Sequence, residues 1–291
     1  MDTIDQTVSK RSVKILYHYT AQSGLMGIVK NKCIWATNIE YLNDSEEFAL
    51  AVKLMRAEID VSRKACSDPK LLPFLDNAAE MVDLIQSVTS VYVSSFTENG
   101  DLLSQWRGYA PRGNGFSIGF DYENLKASIE GQGYFIAPCI YDESTQRQLV
   151  RESIRDLMEH LLDGITKWGS YDPTDDYYGL AYSNFYSSFC HSAPLIKHVS
   201  FSEEREWRAV SQHGFKTRDL DKIGYREGVS MVTPYRVINL GSESSSLPIS
   251  EIIVGPTPHK GLSAQSVSMF MKAAGINRCV VKLSAIPYRG W

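Results

Sequence analysis

The segments of β character in this chain are all short, and the helical stretches between them are unequal in length. That irregularity restricts the fold more than any other feature. In residues 14–20 (KILYHYT), alternation sends Leu16, His18 and Thr20 to one face of a strand and Ile15, Tyr17 and Tyr19 to the other. Further strands are expected at 34–37, 91–97, 116–120, 134–141, 206–211, 235–240, 251–254 and 279–283. Helices are expected from Ser23 to Asn31, from Asn43 or Asp44 to about Val61, over 71–87, through 144–197 and over 263–274. A regular β–α alternation would build a doubly wound parallel sheet, whereas this spacing predicts α+β. The expected layout is a mixed, mainly antiparallel sheet with a helical insertion at 144–197, forming one domain over 12–291 behind a polar tail at 1–11.

The chain has 291 residues, 43% apolar and 22% charged, which suits a globular protein with a substantial core and excludes bulk disorder. Thirty Lys and Arg against 34 Asp and Glu leave a net charge of −4. That balance argues against a protein that coats nucleic acid or an anionic membrane, and leaves room for a local basic groove. No run approaches the ~18 apolar residues of a membrane span, so no membrane partner is expected. The polar start has no signal-peptide pattern. The five cysteines (Cys33, Cys66, Cys139, Cys190 and Cys279) are isolated, which suits reduced thiols and a cytoplasmic location.

Standard cofactor motifs are missing. Gly113, Gly115 and Gly119 have the wrong spacing for a dinucleotide loop and lead into a strand rather than a helix. No phosphate loop, HExxH helix or GxSxG elbow occurs, and the six histidines contain no close pair.

Three islands carry chemistry-bearing residues. His18 sits within YHYT on the first strand, where it suits a hydrogen bond to a sugar hydroxyl or an ordinary half-buried position. Residues 94–120 supply Ser94 and Ser95 on a strand, then Trp106, Arg107 and Tyr109 on a short helix-like turn. Trp106 and Tyr109, three apart, share a helical face that walls a flat heterocycle or simply packs in the core. The third island is 203–208 (EEREWR). On a strand, Glu204, Glu206 and Arg208 share one face, and two carboxylates about 7 Å apart repel, raising the pKa of one. Read alone, this island suits a solvated edge strand guarded by charge better than a functional pair.

Taken in order, YHYT, LND-x-E, W-x-x-Y, G-F-x-I-G-F, E-x-E-W-R and a closing S-x-IPYR resemble the bacterial family known as domain of unknown function 2971. The pattern is also similar to ADP-ribosyltransferases of the H-Y-E type. It differs from them in lacking an STS triplet, in the tyrosine that follows His18, and in the long insertion before the glutamate. The resemblance implies a split sheet, NAD as substrate and no metal. It implies Glu206 as the carboxylate that stabilises an oxocarbenium-like ribose, and Glu204 as the residue that orients or deprotonates an acceptor. His18 would position a ribose hydroxyl, and Trp106 or Tyr109 would hold the nicotinamide. Tyr19, Thr20, Ser95 and Arg107 complete the implied cofactor contacts, with Arg107 and Arg112 available to a phosphate. The acceptor it implies is a protein, a nucleic acid or water, in a stress or anti-phage setting.

Two rival expectations stand beside it. One is a catalytically silent module of the same fold that binds a nucleotide, nucleic acid or protein. The other is a nuclease or metal-dependent hydrolase using Asp44, Glu46, Glu204 and Glu206. The enzyme reading expects the His18 and Glu206 strands close together, with both side chains opening into one cleft walled by Tyr109 or Trp106 and these groups within roughly 10–15 Å of one another. On this expectation, His18 and Glu206 side chains on opposite faces of the sheet would end the enzyme reading.

Overall fold

The computed structural model describes residues 2–9, 11–42, 46–109, 115–168, 176–212, 220–228, 230–241 and 246–288. The chain opens with helix α1 (Asp2–Ser9), strand β1 (Ile15–Ala21), α2 (Gln22–Asn31) and β2 (Cys33–Asn38). Two long helices follow, α3 (Glu46–Ala65) and α4 (Leu72–Val88), then β3 (Tyr92–Thr97), α5 (Leu103–Tyr109), β4 (Gly115–Asp121), α6 (Tyr122–Glu130) and β5 (Tyr134–Pro138). Helices α7 (Glu143–Trp168) and α8 (Asp176–Ser192) lead to β6 (Glu206–Ser211), β7 (Gly224–Glu227) and β8 (Val232–Asn239). Strand β9 (Ile249–Val254), helix α9 (Lys260–Ala273) and β10 (Val280–Leu283) complete the order. The fold is α+β, with one mostly antiparallel sheet; β9, α9 and β10 form its parallel crossover.

The sheet forks at β3. One edge of β3 is fully occupied by β6, from Val93 opposite Val210 to Thr97 opposite Glu206. Its other edge is shared: Tyr17 of β1 lies opposite Thr97, while Thr37 and Asn38 of β2 lie opposite Val93 and Tyr92. Two strands on one edge cannot both continue in plane, so β1 and β2 splay apart, with α2 connecting them. Strand β1 carries β4, β9 and β10 outward, and β2 carries β8 and β7.

Two cores hold the fork open. One fills the space beneath it with Leu16, Phe96, Phe120, Trp207, Ile34 and Ile238, closed by Leu25 and Ile28 of α2. The other binds α3, α4, α7 and α8 to the opposite sheet face through Val93 and Val210. The helical insertion is therefore a layer over the sheet, nucleated by apolar residues such as Leu149, Ile154, Leu157 and Leu161 at helical spacing.

Three local expectations change. The N-terminal residues expected as a polar tail form α1, where buried Thr3 donates to Glu152 of α7 across 2.6 Å. Helix α6 and strand β7 were not legible as elements; β7 is short and alternates exposed residues with half-buried ones. Residues 206–211 are an interior strand with all six residues buried, not a solvated edge. No described helix is long and apolar enough to cross a membrane.

Candidate functional site

Where β1 and β2 part, a cleft of about 630 Å³ opens. His18, Tyr19 and Thr20 line it from β1, Trp35 and Thr37 from β2, Ser94 and Ser95 from β3 and Tyr109 from α5. Lys197, Glu204, Glu206 and Arg208 complete the opposite wall. The close packing of β1 on α2 depends on Gly24, because a Cβ there would run into Thr20 Oγ1.

The centre of the wall is a buried ionic cluster. Arg208 Nε donates to Glu206 Oε1 at 2.8 Å and its Nη2 to Glu206 Oε2 at 3.0 Å; Nη2 also pairs with Glu47 of α3. Lys197 Nζ donates to Glu206 Oε2 at 2.6 Å and to Glu204 Oε2 at 2.7 Å. Burial alone would raise the Glu206 pKa, but Arg208 and Lys197 overcome it and hold the carboxyl at about 2. Burial likewise favours a neutral Lys197, yet Glu206 and Glu47 hold its ammonium above the ordinary lysine value. The three carboxylates Glu47, Glu204 and Glu206 outnumber the two cations Lys197 and Arg208, so the group keeps one net negative charge.

The expected pKa rise within the carboxylate pair is thus overturned at Glu206, because each repulsive neighbour is answered by a closer cation. The strand alternation meant to align Glu204 with Glu206 also fails. Glu204 ends a 3₁₀ turn over Val199–Glu204, and Arg205 follows with φ 42° before the strand begins. Lys197 brings the two carboxylates together instead.

His18 is half-buried and its Nδ1 lies 2.9 Å from the Ser95 carbonyl oxygen. A carbonyl only accepts, so the proton resides on Nδ1 and Nε2 is left as an acceptor. Burial lowers the His18 pKa below 6.5, against the opposing effect of that hydrogen bond. Tyr109 is 47% exposed on the cleft wall. Burial and the Glu206 and Glu204 carboxylates push its phenol up to about 12.

The other expected contacts divide. Thr20 and Ser95 line the cleft, and Ser94 does so with a buried Oγ that has no partner among the described residues. Tyr19 also lines it, but its hydroxyl is held by Asn99 O and Leu102 N. Trp106 is not a cleft wall: it is fully buried against Tyr19, with Nε1 donating to Asp101 at 2.7 Å. Arg107 points elsewhere, its guanidinium 5.8 Å from the Tyr288 ring centroid. Arg112, Asp44 and the Glu46 side chain lie outside the described residues, within which no cluster suits a metal ion.

The expected relation between His18 and Glu206 is met in one respect and fails in another. Strands β1 and β6 are not neighbours but flank β3 on opposite edges. Glu206 pairs with Thr97, and Tyr17 pairs with the same residue, so Glu206 shares its face with Tyr17 and not with His18. The opposite-face outcome set against the enzyme reading is therefore observed; that criterion assumed an unbroken sheet, and the fork between β1 and β2 lets both side chains line one cleft all the same.

Lys197, Glu47, Trp35 and Arg226 were not singled out by sequence. The positive charge at Arg208, two residues from Glu206, was the one signal that the carboxylates would need cationic partners. No curated protein and no solved structure matches the chain. Residues 105–209, which include most of α5, all of β4 and all of the wall formed by Lys197, Glu204, Glu206 and Arg208, match the family described as protein of unknown function DUF2971.

Proposed function

We propose that the protein cleaves NAD at the nicotinamide–ribose bond and transfers ADP-ribose to a macromolecular acceptor or to water. The observation that carries this reading is the convergence of His18, Tyr109, Glu204 and Glu206 from separate elements on one cleft. The glycosidic C–N bond breaks with its electron pair leaving on neutral nicotinamide, and positive charge develops on the ribose. The net negative charge of the ionic cluster stabilises that charge, as a carboxylate does in glycoside hydrolysis. His18 Nε2 accepts from a ribose hydroxyl, and Tyr109 stacks on the nicotinamide ring. The acceptor then attacks the ribose carbon and gives its proton to Glu204, the more exposed of the two wall carboxylates, 21% against 8% for Glu206. The Ser94 hydroxyl, without a partner among the described residues, is a further group that a bound ligand would satisfy.

The test is free nicotinamide released from NAD by the pure protein. Glu204→Gln should lower the rate on the order of 10²–10³ while leaving the fold intact. Unchanged turnover in that variant overturns the assignment.

A second reading, a catalytically silent nucleotide- or nucleic-acid-binding module, is favoured by two observations. Both oxygens of Glu206 are committed to ion pairs, and His18 projects from the other sheet face. A thermal shift with NAD or ADP-ribose, without nicotinamide release, selects this reading.

A further inference from the structure

The cleft also contains an aromatic stack that NAD cleavage does not use. Trp35 of β2 lies opposite Val237, and Thr37 opposite Tyr235, so Trp35 and Tyr235 sit diagonally on one face of the β2–β8 pair. Their ring centroids are 4.1 Å apart with 22° between the planes. Tyr235 in turn lies opposite Gly224 of β7, where a Cβ would collide with the tyrosine ring. The bare glycine gives Tyr235 its bed, and Tyr235 fixes Trp35. Yet the indole so fixed is 43% exposed and lines the cleft. An indole gains most by full burial; one braced from a neighbouring strand and left open to a cleft presents a rigid stacking surface.

Arg226 stands on the same face. It lies opposite Thr233 on β7, two residues from Gly224, and its Nη2 donates to Thr37 Oγ1 at 3.3 Å. It also lines the cleft, and among the described residues no carboxylate pairs with it. A guanidinium presents five donors in a fork that suits phosphate, so the bond to Thr37, the one side-chain bond it makes among the described residues, positions the group without exhausting it.

We infer that Trp35 and Arg226 form a subsite for a nucleobase and its adjoining phosphate, the base stacked on the indole and the phosphate held by the guanidinium. Duplex bases are already stacked on one another, so the ligand is single-stranded nucleic acid or a free nucleotide. The net charge of −4 favours a footprint of very few nucleotides. This subsite goes beyond the proposed reaction and does not depend on it.

The test is fluorescence anisotropy with an end-labelled DNA pentanucleotide, competed by AMP and by ribose 5-phosphate. Trp35→Ala should weaken binding roughly 10- to 100-fold, with Trp35→Phe retaining most of the affinity. Arg226→Ala should weaken binding and reduce the salt slope by about one. Thermal melts establish that each variant is folded; were Trp35→Ala unfolded, Trp35→Phe, Arg226→Ala and the two competitors decide. Competition by AMP as strong as by unlabelled strand assigns a free nucleotide, and competition by strand alone assigns nucleic acid. Wild-type affinity in Trp35→Ala, displacement by ribose 5-phosphate as effective as by AMP, or no pentanucleotide or AMP binding overturns the inference. Glu204→Gln, expected to lose nicotinamide release, should keep this binding, which separates failure of the two proposals.

Discussion

Arg208 Nε donates to Glu206 Oε1 across 2.8 Å with both side chains buried, so the carboxylate placed to stabilise a ribose cation is also part of the fold's internal ionic structure. Removing Arg208 leaves Lys197 alone to answer Glu47, Glu204 and Glu206, whereas removing Glu206 leaves Arg208 with Glu47 and Lys197 with Glu204. Arg208→Met is expected to destabilise the protein by roughly 3–5 kcal/mol and Glu206→Gln by less, read from urea unfolding. A loss of activity in Glu206→Gln therefore bears on chemistry only under conditions where the variant is folded. A destabilisation below about 1 kcal/mol in Arg208→Met would show that the cluster is not structural.

The same pair fixes an acid limit. The folded-state pKa of Glu206 is depressed from 4.5 to about 2, so between these values the unfolded chain binds the extra proton. The stability that Glu206 contributes is complete above about 4.5 and is lost as pH falls through that window to about 2, at up to ~1.4 kcal/mol per pH unit. Urea unfolding midpoints measured at stepped pH should decline more steeply there in the wild type than in a folded Glu206→Gln variant. Parallel declines would mean that other carboxylates account for the acid sensitivity.

How far this site was legible in sequence depends on what each residue needs from its neighbours. The strand carrying His18 could be read because period-two alternation is a local property, and YHYT lies where it was expected. The face of His18 was also legible. What that face meant was not, because the fork depends on β1 and β2 competing for one edge of β3, a relation between segments far apart in the chain. Glu204 and Glu206 were recognised as a pair for the wrong reason: strand geometry stops at Arg205, and Lys197 draws them together from a preceding turn. Lys197 and Glu47 gave no local signal, since a lysine or glutamate destined for a buried cluster looks in sequence like any surface charge. Trp35 was hidden similarly, because only the pairing of β2 with β8 puts Tyr235 beneath it.

His18 makes a prediction at neutral pH. Its pKa is lowered by burial, so the unfolded chain takes up a proton first as pH falls below 6.5, and the stability contributed by the neutral ring is lost progressively below that value. In the folded protein the His18 ring should remain neutral through pH 6.5. Nitrogen NMR should place its proton on Nδ1, facing Ser95 O, with Nε2 unprotonated. A ring that titrates at 6.5, or a proton on Nε2, would remove the acceptor that the ribose contact requires.

Trp106 and Tyr109 separate a brace from a wall within one short helix. Both rings pack near Tyr19, at centroid distances of 4.7 and 6.5 Å, but Trp106 is fully buried while Tyr109 is 47% exposed. Asp101 accepts from Trp106 Nε1 and from Ser284 Oγ, so the tryptophan ties α5 to the segment after β10. Trp106→Ala should therefore cost roughly 3–5 kcal/mol of stability through its cavity and the lost hydrogen bond to Asp101. Tyr109→Ala should change stability by less than about 1 kcal/mol. Its effect should fall instead on the cleft, as weaker NAD binding and slower nicotinamide release, with Tyr109→Phe close to wild type because the stacking ring is kept. The phenol, pushed up to about 12, stays protonated across the working range, so no ionisation of Tyr109 should appear in the pH profile below about pH 11. Tyr109→Phe as impaired as Tyr109→Ala would shift the role from the ring to the hydroxyl, and a Tyr109→Ala variant with wild-type NAD binding would take Tyr109 out of the site.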